Sequence, residues 1–315
     1  MKLVGTTSFG GPEVLGLHEV PCPDPAADEV RIRVHGAAVN PTDLAFRAGF
    51  YRAVLQERTP PFVPGMDAAG IIDAVGKSVV GWNTGDRVMA VVDAPLVSGA
   101  YAEFVVVPAR SVTRCPERLS LHEAAAVPMN ALTARLALDS LPELRHGTLA
   151  VTGAAGAAGG FTVQLAKHEG FTVIADARGE DVELVKSLGA DYVVPRGDEF
   201  AAEVRALVPQ GVDAVVDAAV QTSAVFPAIR DGGHFVPLRG WDEPIPRGIV
   251  AHPIMVSDYT QESEKLRQIA EHIDAGVLTA RIADVVPAER AHDAHTRLGL
   301  GGVRGRIVLD FAALA

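Results

Sequence analysis

The stretch Leu149-Ala150-Val151-Thr152-Gly153-Ala154-Ala155-Gly156-Ala157-Ala158-Gly159-Gly160 decides the fold of this chain. A short apolar run ends in a cluster of small residues. Phe161, Val163, Leu165 and Ala166 then recur at spacings that suit one side of a helix. The pattern predicts strand, tight turn, helix. Glycine suits such a turn because a side chain would hold the backbone away from a pyrophosphate, while the N–H groups at a helix start attract phosphate charge. G-A-A-G-A-A-G is one residue longer than the common G-x-G-x-x-G, and a similar turn arises where a strand and a helix merely pack closely. A second strand at 172–175, one helix length on, favours the nucleotide reading.

The alternation continues downstream. Strands are expected at 149–152, 172–175, 192–194, 212–216 and 234–236, with helical stretches around 157–168, 180–188, 199–207 and 223–229. Continuous apolar strands alternating with helices predict a doubly wound parallel sheet, with ligands at the carboxyl ends of its strands. Residues 1 to about 122 read differently. Val30-Arg31-Ile32-Arg33-Val34 alternates, and 70–76, 87–91 and 101–107 read as further short strands. Turn chemistry at Gly81-Trp82-Asn83-Thr84-Gly85-Asp86 separates two of them. That is the pattern of a small barrel or sandwich. Between the regions, helices are expected at 123–127, ended or kinked by Pro128, and at 131–138. After about 257 a helix at 261–275, strands at 280–286 and 306–309, and a helix near 288–298 resume the style of the first region. The expected domains are therefore a discontinuous one, 1–122 with 258–315, and a cofactor-binding one, 123–257.

Composition narrows the function. A chain of 315 residues can bury two cores. Its net charge of −11 argues against a nucleic-acid partner, which needs clustered Lys and Arg. The two cysteines, Cys22 and Cys115, build no disulfide framework and fit a reducing compartment. No apolar run approaches a membrane span and the start lacks a signal-like segment, so a soluble cytoplasmic protein is expected. None of the ten histidines shows ligand spacing, and His292 and His295 are expected to face solvent.

Several motifs appear in the order of one family. They are Asn40-Pro41-Thr42-Asp43; Pro64-Gly65-Met66-Asp67-Ala68-Ala69-Gly70; Gly81 to Val88; Gly99-Ala100-Tyr101-Ala102-Glu103; Ala124-Ala125-Ala126-Val127-Pro128; the Gly-rich turn; and Gly302 to Leu309. From end to end the chain resembles the zinc-free, zeta-crystallin-like quinone oxidoreductases of the medium-chain dehydrogenase/reductase superfamily. The resemblance implies an α/β protein with a GroES-like β-rich barrel domain and a doubly wound Rossmann domain. Zinc-dependent relatives carry Cys and Gly-His-Glu where this chain has Asn40 and Gly65-Met66-Asp67. Neither Asn nor Met suits Zn²⁺, and two cysteines cannot form a four-Cys site, so no metal is expected.

The resemblance also implies hydride transfer from a nicotinamide to an electron-poor acceptor. By analogy Asn40, Asp43, Tyr51, Met129, Asn130 and Thr133 line the cleft, with Asn40 and Thr133 on the nicotinamide ribose and carboxamide. Gly153, Ala154, Ala155, Gly156, Ala157, Ala158 and Gly159 would hold the pyrophosphate. Tyr51 either donates a proton to the reduced substrate or is simply an aromatic of the lining. Asp43 either lines the cleft or caps a helix beginning near Leu44. A structural role is expected for Asp67. Family register places Ala177, not an acid, at the ribose position of the second strand, with Arg178 next and Arg196 after the third strand. That favours the 2′-phosphate of NADPH, although Arg178 also fits a solvated loop and Asp176 would favour NADH if it faced the ribose. Arg239 and Trp241 follow the fifth strand and are assigned to cofactor and substrate respectively.

The expected activity is NADPH-dependent reduction of quinones or other conjugated carbonyls. Reduction of enoyl thioesters or a biosynthetic intermediate, and a non-catalytic NADPH-binding crystallin-like role, are the alternatives. Family habit adds a homodimer, through edge pairing of two sheets.

Overall fold

The computed structural model describes residues 1–141, 144 and 146–314. In chain order the strands are β1 (Lys2–Gly5), β2 (Gly16–Glu19), β3 (Glu29–Val39), β4 (Asp67–Val75), β5 (Arg87–Val91), β6 (Phe104–Pro108), β7 (Val112–Arg114) and β8 (Thr148–Thr152). They continue as β9 (Thr172–Ala177), β10 (Tyr192–Pro195), β11 (Val212–Asp217), β12 (Ile229–Pro237), β13 (Val250–Ala251), β14 (Ile282–Pro287) and β15 (Arg306–Asp310). The α-helices are α1 (Pro41–Ala48), α2 (Arg52–Leu55), α3 (Leu121–Ala125), α4 (Pro128–Asp139), α5 (Ala157–His168), α6 (Val182–Ser187), α7 (Phe200–Leu207), α8 (Ser263–Asp274) and α9 (Ala291–Leu300).

The chain divides into two compact units. One comprises Met1–Met129, Tyr259–Asp274 and Ala280–Ala315; the other comprises Asn130–Asp258 and Ala275–Thr279.

In the first unit a mixed sheet runs β14-β15-β3-β4-β5-β7, with β6 also on β3 and β1-β2 as a separate pair. The long strand β3 explains the arrangement. Val30, Ile32 and Val34 alternate inward, and after Gly36 the strand is buried throughout. Its first half pairs antiparallel with β6 and β4, its second half with β15. The core holds Val30, Ile32, Ile72, Tyr101, Ile307 and Phe311. Three expectations shift here. Tyr101, expected in a strand, precedes β6 and is fully buried. Pro128 does not end a helix; it opens α4, where its missing N–H costs nothing. His295 does not face solvent. It is 1% exposed, and its Nε2 lies 3.1 Å from the Tyr101 hydroxyl.

In the second unit six strands run β10-β9-β8-β11-β12-β13, all parallel. This is the doubly wound sheet the alternation predicts. Apolar residues along β8, β9 and β11 are buried on both faces, as helical cover requires. The stretch expected as a helix near 223–229 is a 3₁₀ segment, Thr222–Ala228, because Pro227 cannot continue an α-helix.

Candidate active site

The first unit carries a knot of buried polar groups at the start of α1. Asn40 is the N-cap, and Asp43, three residues on, completes a capping box. Asp43 Oδ2 accepts the Asn40 backbone N–H at 2.8 Å, while Oδ1 accepts the Gly65 N–H at 2.7 Å. The helix therefore starts at Pro41, not near Leu44. Asp43 belongs to its cap and also fastens the Pro64–Gly65 turn. Gly65 adopts φ +112, and a Cβ there would fall 2.7 Å from the Ala100 nitrogen, so only glycine fits.

Asp67 is the second carboxylate of the knot. Oδ2 accepts from the Asn40 side-chain amide at 2.7 Å and Oδ1 from the Met129 N–H at 2.6 Å. Asp43, Asp67 and Asn40 are at most 1% exposed. Burial pushes both carboxyls up to about 7, against the pull of their hydrogen bonds and of the Arg306 guanidinium. Burial in turn brings Arg306 down to about 10, although Asp67 and Asp43 favour its charge. Asn40 and Met129, assigned to the substrate side, are thus held by Asp67: Asn40 through its amide, Met129 through its main chain. Asp67 is the residue whose role sequence reasoning understated. Its signal was a carboxylate in an otherwise apolar strand start, Asp67-Ala68-Ala69-Gly70.

Tyr51 is half-buried beside this knot. Its ring meets Phe50 edge-on at 5.1 Å and Phe46 at 6.1 Å. Burial, with Asp43 and Asp93 adding negative potential, raises its hydroxyl above the ordinary phenol value, so it stays protonated near neutrality.

In the second unit the Gly-rich turn joins β8 to α5. Gly153 adopts φ +66, which favours glycine. A Cβ at Gly159 would lie 2.3 Å from the Gly153 carbonyl oxygen, so this position must be bare for the helix to seat on the turn. Gly156 is the N-cap of α5 with an extended backbone and no side-chain cap. The first-turn amides of Ala157, Ala158 and Gly159 have no acceptor within the helix, so the turn keeps a set of donors for an anion.

The structure corrects the outer end of the predicted cradle. The Ala154 N–H donates to Asp176 Oδ1 at 3.1 Å, and the Gly153 N–H also favours the charged Asp176. Those two amides are satisfied by the protein. Asp176 is 1% exposed and bonded to the turn itself. Its other oxygen lies 3.4 Å from the Gln221 side-chain nitrogen. Arg178, Arg196 and Arg239 are exposed. Arg178 follows β9 and Arg196 follows β10, with the Arg196 N–H on the Ala177 carbonyl at 3.0 Å, so the two cations sit at the ends of neighbouring strands. Asn130 is buried and Thr133 half-buried on α4.

Trp241 is also reassigned. Its ring packs edge-on against Phe226 and Phe235, each at 5.5 Å, and its Nε1 donates to the Glu243 carbonyl at 2.7 Å. It packs on the core of the second unit and also lines a cavity of about 560 Å³ with Phe226, Glu243 and Arg247.

Comparison with known proteins adds two family matches: the alcohol dehydrogenase GroES-like domain over residues 26–117, and zinc-binding dehydrogenase over residues 188–309. The chain is 32% identical to the quinone oxidoreductase of Mus musculus, over 98% of this chain and 97% of that protein. It is 31% identical to 2-methylene-furan-3-one reductase of Solanum lycopersicum, over 98% and 79% respectively. Among solved structures, a mycobacterial protein complexed with NADPH superposes with TM-score 0.86 at 28% identity, over 98% of this chain and 100% of that one. An NAD-dependent alcohol dehydrogenase superposes with TM-score 0.81 at 30% identity, over 98% and 99%.

Proposed function

The chain belongs to the quinone oxidoreductase branch of the medium-chain dehydrogenase/reductase superfamily, and from that premise we propose that it is an NADPH-dependent, metal-free reductase of quinones or other conjugated carbonyls. The observation that carries this reading is the turn before α5. Its bare Gly159 and the open amides of Ala157, Ala158 and Gly159 suit a pyrophosphate. Arg178 and Arg196, exposed beyond two adjacent strands, suit a 2′-phosphate. With its carboxylate bonded to the turn, Asp176 has little capacity left for ribose hydroxyls, which favours NADPH over NADH.

When bound, the coenzyme supplies a hydride at nicotinamide C4. The chain's own part is to orient, exclude water and hold a proton. Tyr51 holds that proton on its hydroxyl and is proposed as the donor to the reduced acceptor. Asp43 and Asp67 are positioning residues, fixing Asn40, Gly65 and the Met129 backbone. The metal-free reading rests on donor chemistry. Asn40 offers an amide whose nitrogen already donates to Asp67, and Met66 is a buried thioether, so neither suits Zn²⁺. A soluble cytoplasmic homodimer completes the proposal.

The test is steady-state turnover of a quinone and enone panel with NADPH and NADH. Turnover with NADPH preferred supports the reading. Reduction confined to enoyl thioesters would move the substrate class, and binding without turnover would leave a non-catalytic NADPH-binding protein. Tyr51→Phe should lower kcat with little change in coenzyme affinity; full turnover in that variant removes Tyr51 from the mechanism.

A further inference from the structure

His234 on β12 and His252, one residue beyond β13, are 18 positions apart in sequence and touch in space. His234 lies opposite Val250 in the parallel ladder, and the His252 N–H extends that ladder onto the Phe235 carbonyl at 2.8 Å. The two side chains therefore sit diagonally on one face of the sheet. Their Nδ1 and Nε2 atoms are 2.9 Å apart, the ring centroids 5.1 Å apart, and both residues are half-buried.

We propose that His234 and His252 form a two-imidazole site for a divalent transition-metal ion of tetragonal preference, Cu(II) or Ni(II). Two nitrogens on one ion at bond lengths of about 2.0–2.1 Å lie ~2.9 Å apart when cis at about 90°, and ~3.3 Å apart on a tetrahedral ion. The observed separation of 2.9 Å is that of a hydrogen bond between the two rings, and it equals the first of these spans. Strand pairing fixes both backbones, and binding would replace the hydrogen bond between the two rings and turn both nitrogens toward a common point. Among the described residues no cluster of three His, Cys, Asp or Glu holds a metal, so water completes the coordination. The site is in the second unit, while the positions where zinc-dependent relatives differ, Asn40 and Met66, are in the first. It is independent of the proposed reduction.

The experiment is calorimetric titration of NiCl₂ into the untagged chain, with Cys22→Ala as background so that the exposed thiol does not compete. One ion per chain is expected. Affinity should fall in His234→Gln and in His252→Gln by more than about 100-fold, the upper end of what loss of an outer-shell partner costs. Metal-free melting curves check that each variant folds. Should either variant unfold, the electron paramagnetic resonance spectrum of the one-equivalent Cu(II) adduct decides. Coupling to two imidazole nitrogens supports the site, and coupling to fewer overturns it. Wild-type affinity in both variants, or no Ni(II) uptake by the parent, also overturns it.

Discussion

The two candidate regions are built in opposite ways. Around Asn40, Asp43 and Asp67 the first unit uses buried side chains: Asp43 accepts the Asn40 and Gly65 N–H groups, and Asp67 accepts the Asn40 amide and the Met129 N–H. At the Gly-rich turn the second unit uses backbone and the absence of side chains, with Asp176 tying down the two amides nearest the strand. The contrast teaches that a site made of missing atoms is written locally in sequence, while a site made of paired side chains is written only in the fold.

Breaking the side-chain site should have the larger effect. Asp67→Ala strips the partner from the Asn40 amide and the Met129 N–H and leaves buried Arg306 with less compensation. We expect a loss of about 2–6 kcal/mol, ~1–3 kcal/mol for each of the two buried donors left without an acceptor. Urea unfolding measures it; a loss below 1 kcal/mol would mean that the knot is not structural. The backbone site should be less costly to stability and more costly to binding. Gly159→Ala forces a Cβ against the Gly153 carbonyl, for about 1–3 kcal/mol of overpacking. Coenzyme binding should fall with it, whereas Asp67→Ala, if folded, should leave the Gly-rich turn and its coenzyme affinity unchanged. Equal NADPH affinity in Gly159→Ala and wild type would break the distinction.

The titratable character of the first unit gives a pH signature that the turn lacks. Burial takes His295 down to about 3, so the folded state resists the proton that the unfolded chain takes up near 6.5. Stability from His295 is complete above about pH 6.5 and is lost as pH falls toward 3, amounting to about 2 kcal/mol at pH 5. Asp43 and Asp67 work in the other sense. Their folded values of about 7 lie above the unfolded 3.8, so their contribution is complete below about pH 4 and lost as pH rises through 7. Against wild type, His295→Gln should lose less melting temperature between pH 7 and 5, and Asp43→Asn should lose less between pH 5 and 8. Parallel melting curves for all three chains would contradict both assignments. The smallest expected effect lies on the surface of the second unit. Arg196→Ala should shift the NADPH:NADH ratio of kcat/KM by about tenfold toward NADH, the scale of one charge-assisted phosphate contact. An unchanged ratio would take Arg196 out of coenzyme selection.

What was legible in the sequence follows the same division. The parallel sheet could be read because β8, β9 and β11 are continuous apolar runs between helical spacings, and the turn could be read because Gly153, Gly156 and Gly159 are close together. The resemblance to the oxidoreductase family brought Asn40, Asp43 and Tyr51 forward without their partners. The partners were hidden by distance along the chain. Asp67 meets Asn40 from 27 residues away, and His295 meets Tyr101 from 194. The sequence places His295 on a late helix and points it to solvent, yet its ring lies on the helix's buried face. That Trp241 follows a strand end is visible in the sequence, whereas its packing on Phe226 and Phe235 comes from the path of the loop. The histidine pair escaped for the same reason, since it comes from strand register and not from spacing.

The most direct test of the account is equilibrium titration of the purified chain with NADPH, followed by quenching of tryptophan emission or by calorimetry, beside Gly159→Ala. One saturable site per chain, tighter for NADPH than for NADH and weakened in the variant, is the predicted result. An unaltered signal with both reduced coenzymes would contradict it.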